Sequence, residues 1–360
     1  MSTTTLIIIT ATMLLSMLFS VAARKLALKF GFIDVPKDPR KVHKRPTPLI
    51  GGAAVITAFI VGIFIAWPSL VGGYMLPKHL FGVISGALVL LVGGVLDDKF
   101  DLSPKVQVVF PVISALIVIV SGIGIDYITN PIGGIIQLDQ YSFELFTVNG
   151  LPYKLTLLAD AFTIVWLMGT MYTTKFLDGL DGLVSGVAVI GSGIIAVLSM
   201  TKMVYQPETA YLAALAGAAF LGFLFLNWHP AKIFLGESGS LFAGFILGVL
   251  AIISGGKIAT AIIILGIPIM DVIWVIIRRL FLERRSPFEA DRKHLHLRLI
   301  DIGLSHRETV LMLYAFTLIF GISSLFLQST AKVMVLALIV VTMIILASSI
   351  VVLSKRKKQQ

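Results

Sequence analysis

Long apolar stretches separated by short polar loops set the rhythm of this chain. Runs of about 18 or more apolar residues recur, the length a helix needs to cross a bilayer core. Within the runs the apolar positions are continuous, without the alternation of a half-buried strand, so the pattern predicts helices. Lipid offers the backbone no hydrogen-bond partner, and a helix satisfies its own polar groups. Eleven spans are predicted, over residues 5–23, 50–67, 79–96, 106–121, 157–174, 183–200, 209–226, 240–254, 258–280, 309–327 and 331–353. The fold class is therefore an all-α polytopic membrane protein, with residues 1–360 forming one integral membrane domain. The first span lacks a basic n-region and its apolar stretch is long, so it reads as a retained helix. The longest outer loop, 122–156, partly alternates in "IIQLDQYSFELFTVNGL" and carries an Asn-Gly turn, the pattern of a short β-hairpin.

Composition agrees: 57% of residues are hydrophobic and only 13% charged, against about a quarter charged in soluble domains. The absence of cysteine excludes disulfides and thiol chemistry. Charge adds an orientation. Loops 24–49, 97–105, 175–182, 227–239 and 281–308, with Arg278, Arg279 and the tail 354–360, hold 24 of the 29 Lys and Arg. The opposite side holds only Lys78, Lys154, Lys202, Lys257 and Lys332. Basic loops stay in the cytoplasm, which places the N-terminus outside and the C-terminus inside. The same charge suits anionic lipid headgroups, and no nucleic-acid partner is expected.

Most acids share the basic side. Asp97, Asp98 and Asp101 lie in "GGVLDDKFDLSPK", Asp178 and Asp181 in "FLDGLDGLVSG", and Glu237 in "NWHPAKIFLGESGS". Clustered carboxylates repel unless a cation sits among them. Mg²⁺ fits best, because it takes one or two carboxylates and completes its shell with water and phosphate; Mn²⁺ is the alternative. In a helical turn, Asp97 and Asp101 share a face and Asp98 and Asp101 are adjacent. Two further loops supply cations. One holds Lys37, Arg40, Lys41, His43, Lys44 and Arg45; the other holds Arg284, Arg285, Arg292, Lys293, His294, His296 and Arg298. An extended "HLHLRL" puts His294, His296 and Arg298 on one side, a cationic face for a nucleotide diphosphate; a two-histidine metal site is the lesser reading. Asp160 and Asp271 fall inside apolar runs. The first suits a helix-entry or packing role; the second suits either a structural role beside Pro268 or catalysis. Acids gathered at one face, without an internal repeat, speak against a transporter with a midplane site.

Read in order, "RKVHKRPTPLIGG", "GGVLDDKFDLSPK", "FLDGLDGLVSG", "NWHPAKIFLGESGS", "PIMDVIWVIIRR" and "HLHLRLIDIG" make the chain resemble the polyprenyl-phosphate N-acetylhexosamine-1-phosphate transferases, the WecA/MraY-type superfamily, over about residues 31–305. The basic last loop is closer to the WecA/TagO branch. The resemblance implies transfer of a sugar-1-phosphate from a UDP-N-acetylhexosamine to undecaprenyl phosphate, with release of UMP and a requirement for Mg²⁺. It implies catalytic roles for Asp97, Asp98 and Asp181, and metal binding by Asp98 and Glu237. Lys44, Asp101, Lys105, Asp178, Asn227, His294, His296 and Arg298 are implied to bind substrate. Four positions depart from the family pattern. Tyr172 and Lys175 stand where it has Asn, Glu237 where it has Asp, and Leu297 where it has His. Lys175 is thereby expected to compete with the metal for Asp178. An inactive relative that binds polyprenyl phosphate or a nucleotide sugar is the alternative reading. The sequence leaves monomer and homodimer both open.

Overall fold

The computed structural model describes residues 2–36, 45–130, 134–148, 151–202, 204–255, 258–284, 293–327 and 329–359. Helices α1 (Thr3–Phe30), α2 (Gly51–Leu70) and α3 (Pro77–Phe100) lead into the short α4 (Pro104–Gln107) and α5 (Val109–Val120). Then come α6 (Leu157–Leu177), α7 (Leu183–Met200), α8 (Pro207–Asn227) and α9 (Gly236–Ile253). Helix α10 (Ile258–Ile264) bends by 79° into α11 (Gly266–Ile277), which runs on through a π-helical turn to Glu283. Helices α12 (Leu295–Ile302), α13 (His306–Phe326) and α14 (Ser329–Gln359) complete the bundle.

Every predicted span coincides with helix, and the chain is an all-α polytopic membrane protein. Among the described residues, eight helices are long and apolar enough to cross a membrane, or nine when α10 and α11 count as one broken span. The stretch 104–120 is a shorter apolar helix. Helix α6 is more polar, carrying Asp160, Lys175 and four threonines. Helix α1 outruns its predicted end by a turn and more, stopping only at Gly31, whose φ of 74° forms a left-handed cap.

Helix α9 is the axis. Its membrane-length window is 89% buried, against 22% for the equivalent windows of α1 and α14. Water does not drive helices together inside lipid, so close packing of small residues does. A Cβ on Gly52 would collide with the backbone of Gly239, one on Gly94 with Ser238, and one on Gly244 with Thr170. These contacts draw α2, α3 and α6 onto α9 near its first turns. Side chains lock the same seams: Thr174 Oγ1 donates to Ser240 O (2.7 Å), and Trp166 Nε1 to Gly248 O (3.1 Å).

Among the described residues, three two-stranded ladders accompany the helices. β1 (Ile33–Asp34) pairs with β2 (Thr47–Pro48), and β3 (Tyr127–Thr129) with β4 (Ile135–Gln137). The expected hairpin is present as β5 (Ser142–Val148) against β6 (Leu151–Thr156), paired from Ser142↔Thr156 to Val148↔Leu151 with a one-residue register shift between Glu144 and Phe146. Its Asn149-Gly150 turn lies outside the described residues. Asp160 has the helix-start role expected of it: Oδ2 accepts from Thr156 N at 2.6 Å.

Candidate active site

The ends of α3, α6 and α8 and the starts of α7 and α9 meet at one end of the bundle around a cavity of about 350 Å³. Asp34, Asp98, Lys175, Asp178, Asp181, Asn227 and Glu237 supply its polar lining. Residues that are far apart in sequence thus share one chamber, and the acidic loops expected to converge do so.

The three acids of "DDKFD" separate. Asp98 lines the cavity; its Oδ1 accepts from Glu237 N at 3.1 Å, and its Oδ2 is buried without a hydrogen-bond partner. Gly236 leaves it room, since a Cβ there would come within 2.6 Å of that oxygen. Asp97 points elsewhere, because consecutive helical residues diverge by about 100°. Its Oδ1 accepts from Leu102 N (2.9 Å) and Gln107 Nε2 (3.0 Å), so it ties α3 to α4. Asp101 does not continue the helix. It sits in the left-handed region at φ 50° and caps α3, which corrects the expected helical face with Asp97 and Asp98. Asp101 and Lys105 are exposed and outside the cavity lining. Lys44 lies outside the described residues, as do Lys37, Arg40, Lys41, His43, Arg285 and Arg292.

The "DGLDG" turn stands over the chamber. Asp178 opens onto it. Removal from bulk water, then the charges of Glu237, Asp98 and Asp181, push its carboxyl well above the usual carboxylate range. Asp181 is held tightly: Oδ2 accepts from His229 Nδ1 (2.7 Å) and from Ala231 N (3.0 Å). Asn227 shapes the turn from below. Its Oδ1 accepts from Gly182 N (3.0 Å) and Ser185 Oγ (2.8 Å), while its Nδ2 donates to Ile233 O (3.0 Å). Its amide oxygen therefore serves the scaffold. Gly182, at φ 78°, is required by the turn, and its carbonyl accepts from Tyr314 OH.

Lys175 does not pair with Asp178 as expected. Its ammonium makes an ion pair with Glu237, donates to Gln107 Oε1 (3.0 Å) and lies 5.6 Å from the centre of the Tyr172 ring. From the last turn of α6 it faces the start of α9, and Glu237 is the acid there.

The histidine loop also departs from expectation. "HLHLRL" is helical, with His294 at the N-cap of α12, so the alternating face does not form and Arg298 points away from His296. The cause lies in another helix. Asp271 Oδ2 accepts from His294 Nδ1 and its Oδ1 from Leu295 N, both at 2.9 Å, so a buried carboxylate caps α12. Of the two readings of Asp271, the structural one holds. Arg298 is outside the cavity lining. His296 is buried against Gly179, where a Cβ would strike the imidazole. Burial, opposed by Asp271, lowers the His296 pKa to about 4.

Besides Asp34 in the chamber lining, two residues beside the site escaped the sequence reading. His229 grips Asp181, and His306 stacks on His229 with ring centroids 3.9 Å apart and planes 17° from parallel. Arg307 donates to His229 O at 2.9 Å. Donor atoms of Asp181, His229 and His306 lie within 4.8 Å of one another. Lone pairs of near-parallel rings do not converge on one ion, so the trio serves to hold Asp181. Position gave a signal for both: His229 belongs to "NWHPAK", and His306 follows Ser305 in a capping box closed by Glu308.

Fold and chamber together define a multi-pass membrane protein with a carboxylate-lined site at one end of its bundle. The chain matches the model of glycosyl transferase family 4 over residues 80–255. It is 34% identical, over 323 residues, to the "Probable undecaprenyl-phosphate N-acetylglucosaminyl 1-phosphate transferase" of Bacillus subtilis (strain 168), covering 88% of this chain and 83% of that protein. It is 32% identical, over 349 residues, to the "Decaprenyl-phosphate N-acetylglucosaminephosphotransferase" of Mycobacterium tuberculosis (strain ATCC 25618 / H37Rv), covering 88% and 82%. A 30% identity over 312 residues links it to the "Undecaprenyl-phosphate alpha-N-acetylglucosaminyl 1-phosphate transferase" of Escherichia coli (strain K12), covering 83% and 77%. The chain belongs to the polyprenyl-phosphate N-acetylhexosamine-1-phosphate transferase superfamily, as its motifs implied.

Proposed function

We propose that this protein transfers N-acetylglucosamine-1-phosphate from UDP-N-acetylglucosamine to undecaprenyl phosphate, releasing UMP, as the first membrane step of an envelope glycan pathway. The observation that carries the reading is the convergence of Asp98, Asp178, Asp181 and Glu237 on one chamber. The names of the relatives supply the class of reaction. The basic loops argue that the chamber faces the cytoplasm, that the chain crosses eleven times, and that the N-terminus lies outside. A lipid-borne phosphate stays at the interface, where helix ends place the site.

The donor set fits a magnesium ion: Asp98 Oδ2 is a buried oxygen without a hydrogen-bond partner, beside Asp178 and Glu237. Asp98 and Glu237 would hold the ion, with Mn²⁺ as a substitute. Bound there, the ion would supply positive charge that offsets the repulsion between the two phosphate-bearing substrates. An oxygen of the lipid phosphate attacks the sugar-bearing phosphorus, and the bond to the bridging oxygen breaks, leaving with UMP. Asp181 would take a proton from the lipid phosphate, with Asp98 acting in catalysis through the ion it would hold, and the His229 and Ala231 bonds keep Asp181 aimed. Asp97 supports the site by tying α3 to α4. Asn227 shapes its wall, His296 backs the Gly179 turn from outside the lining, His294 is held by Asp271, and Asp178 is assigned to the nucleotide sugar. Lys44 and Lys105 are assigned to the anionic substrates by charge and motif.

The test is UMP release by purified protein from radiolabelled UDP-sugars and undecaprenyl phosphate, with and without Mg²⁺. Release that needs both the metal and the lipid is expected; none across the panel overturns the reading. One observation favours a second reading, a binding protein without turnover: Lys175 occupies Glu237. Activity that appears only after Glu237→Asp and Leu297→His would establish it.

A further inference from the structure

We infer that Lys175 is a tethered competitor for the divalent ion, an ammonium that holds Glu237 until the ion displaces it and so sets how tightly this site binds metal. The inference rests on the metal site proposed above and adds a residue to it.

The ammonium is built in. Lys175 and Glu237 side chains are 18% and 17% exposed, so their pairing is shielded from bulk water and screened less than a surface pair. The ammonium also donates to Gln107 Oε1 at 3.0 Å, with the Tyr172 ring as a third neighbour. Gln107 is itself fixed, because its Nε2 donates to Asp97 Oδ1 (3.0 Å) and Leu102 O (2.8 Å). The carbonyl oxygen is thereby aimed at Lys175. A chain of contacts runs from Asp97 through Gln107 and Lys175 to Glu237, whose own N–H donates to Asp98. A solvated surface lysine needs none of this support.

The consequence is electrostatic. A divalent ion on Glu237 meets a unit positive charge in contact with the same carboxylate. Even at water-like screening, that repulsion weakens the ion by roughly tenfold or more. Gln107 gives the ammonium an acceptor to keep when it leaves Glu237, and the long aliphatic stem gives it reach. Metal and lysine thus exchange on one carboxylate, while Asp98 Oδ2 stays without a hydrogen-bond partner in the protein.

The test is a Mn²⁺ titration of the full chain in lipid nanodiscs without substrates, with free Mn²⁺ read by electron paramagnetic resonance. Wild type is compared with Lys175→Asn, Lys175→Met, Glu237→Gln and the double variant Lys175→Asn/Glu237→Gln. Both lysine variants should bind Mn²⁺ roughly tenfold or more tighter, and the gain should vanish in the Glu237→Gln background. Unchanged or weaker binding in whichever lysine variant folds overturns the inference, as does a gain that survives Glu237→Gln. UMP release from the same samples separates the two claims. Tighter binding without release leaves the inference standing and removes the proposed activity. Metal-dependent release with unchanged affinity does the reverse.

Discussion

Two carboxylates of one bundle, Asp271 on α11 and Asp98 on α3, meet opposite surroundings. Asp271 is buried and fully engaged, one oxygen on His294 and the other on the Leu295 N–H. Asp98 has one oxygen bonded to the Glu237 N–H and the other buried without a hydrogen-bond partner. A buried polar atom without a partner is costly, and this one lies in the chamber beside Asp178 and Glu237. The same residue type is thus an internal cap in one region and, on the proposed function, a metal ligand in the other. Asp181 stands between them: His229 and Ala231 orient it, yet it still lines the chamber.

The contrast predicts graded effects. Asp98→Asn and Asp181→Asn should lower UMP release by about 10²–10³-fold or more, with melting temperature nearly unchanged; near-normal turnover would break the distinction. Asp271→Leu should act the other way. It leaves the α12 N-terminus and His294 without their acceptor and should destabilise the protein by about 2 kcal/mol, read as a lower melting temperature with turnover kept in the cold. His296 should sharpen the picture through pH. The unfolded chain takes a proton near pH 6.5, but the buried imidazole takes one only near 4. Unfolding therefore binds a proton between those values, and stability falls as pH drops through that window. His296→Gln should flatten the slope there in a melting series. The smallest effect is expected from Arg298→Ala, since helix α12 turns Arg298 away from His296 and it lies outside the cavity lining. The apparent affinity for UDP-N-acetylglucosamine should change about threefold at most.

The helices were legible because lipid permits so little else: each apolar run became helix, and the Asn-Gly hairpin formed where its alternation began. The acidic loops were legible as a group, since charge bias put them on one side. What sequence hid was set by partners far along the chain. "HLHLRL" alternates like a strand, yet Asp271, 23 residues before His294, caps it as a helix. Lys175 sits three residues from Asp178, yet its partner is Glu237, which α9 brings alongside α6. "DDKFD" reads as one helical face, but the helix ends at Phe100 and leaves Asp101 in a left-handed cap. His229 and His306 meet only because the start of α13 packs over the end of α8.

The most direct measurement is Mn²⁺ binding by Asp98→Asn and Asp271→Asn proteins in nanodiscs, side by side with wild type. If the Asp98 oxygen is reserved for a cation while Asp271 is bound up in the fold, Asp98→Asn abolishes or severely weakens binding and Asp271→Asn retains it. Wild-type affinity in the Asp98→Asn protein would contradict the account.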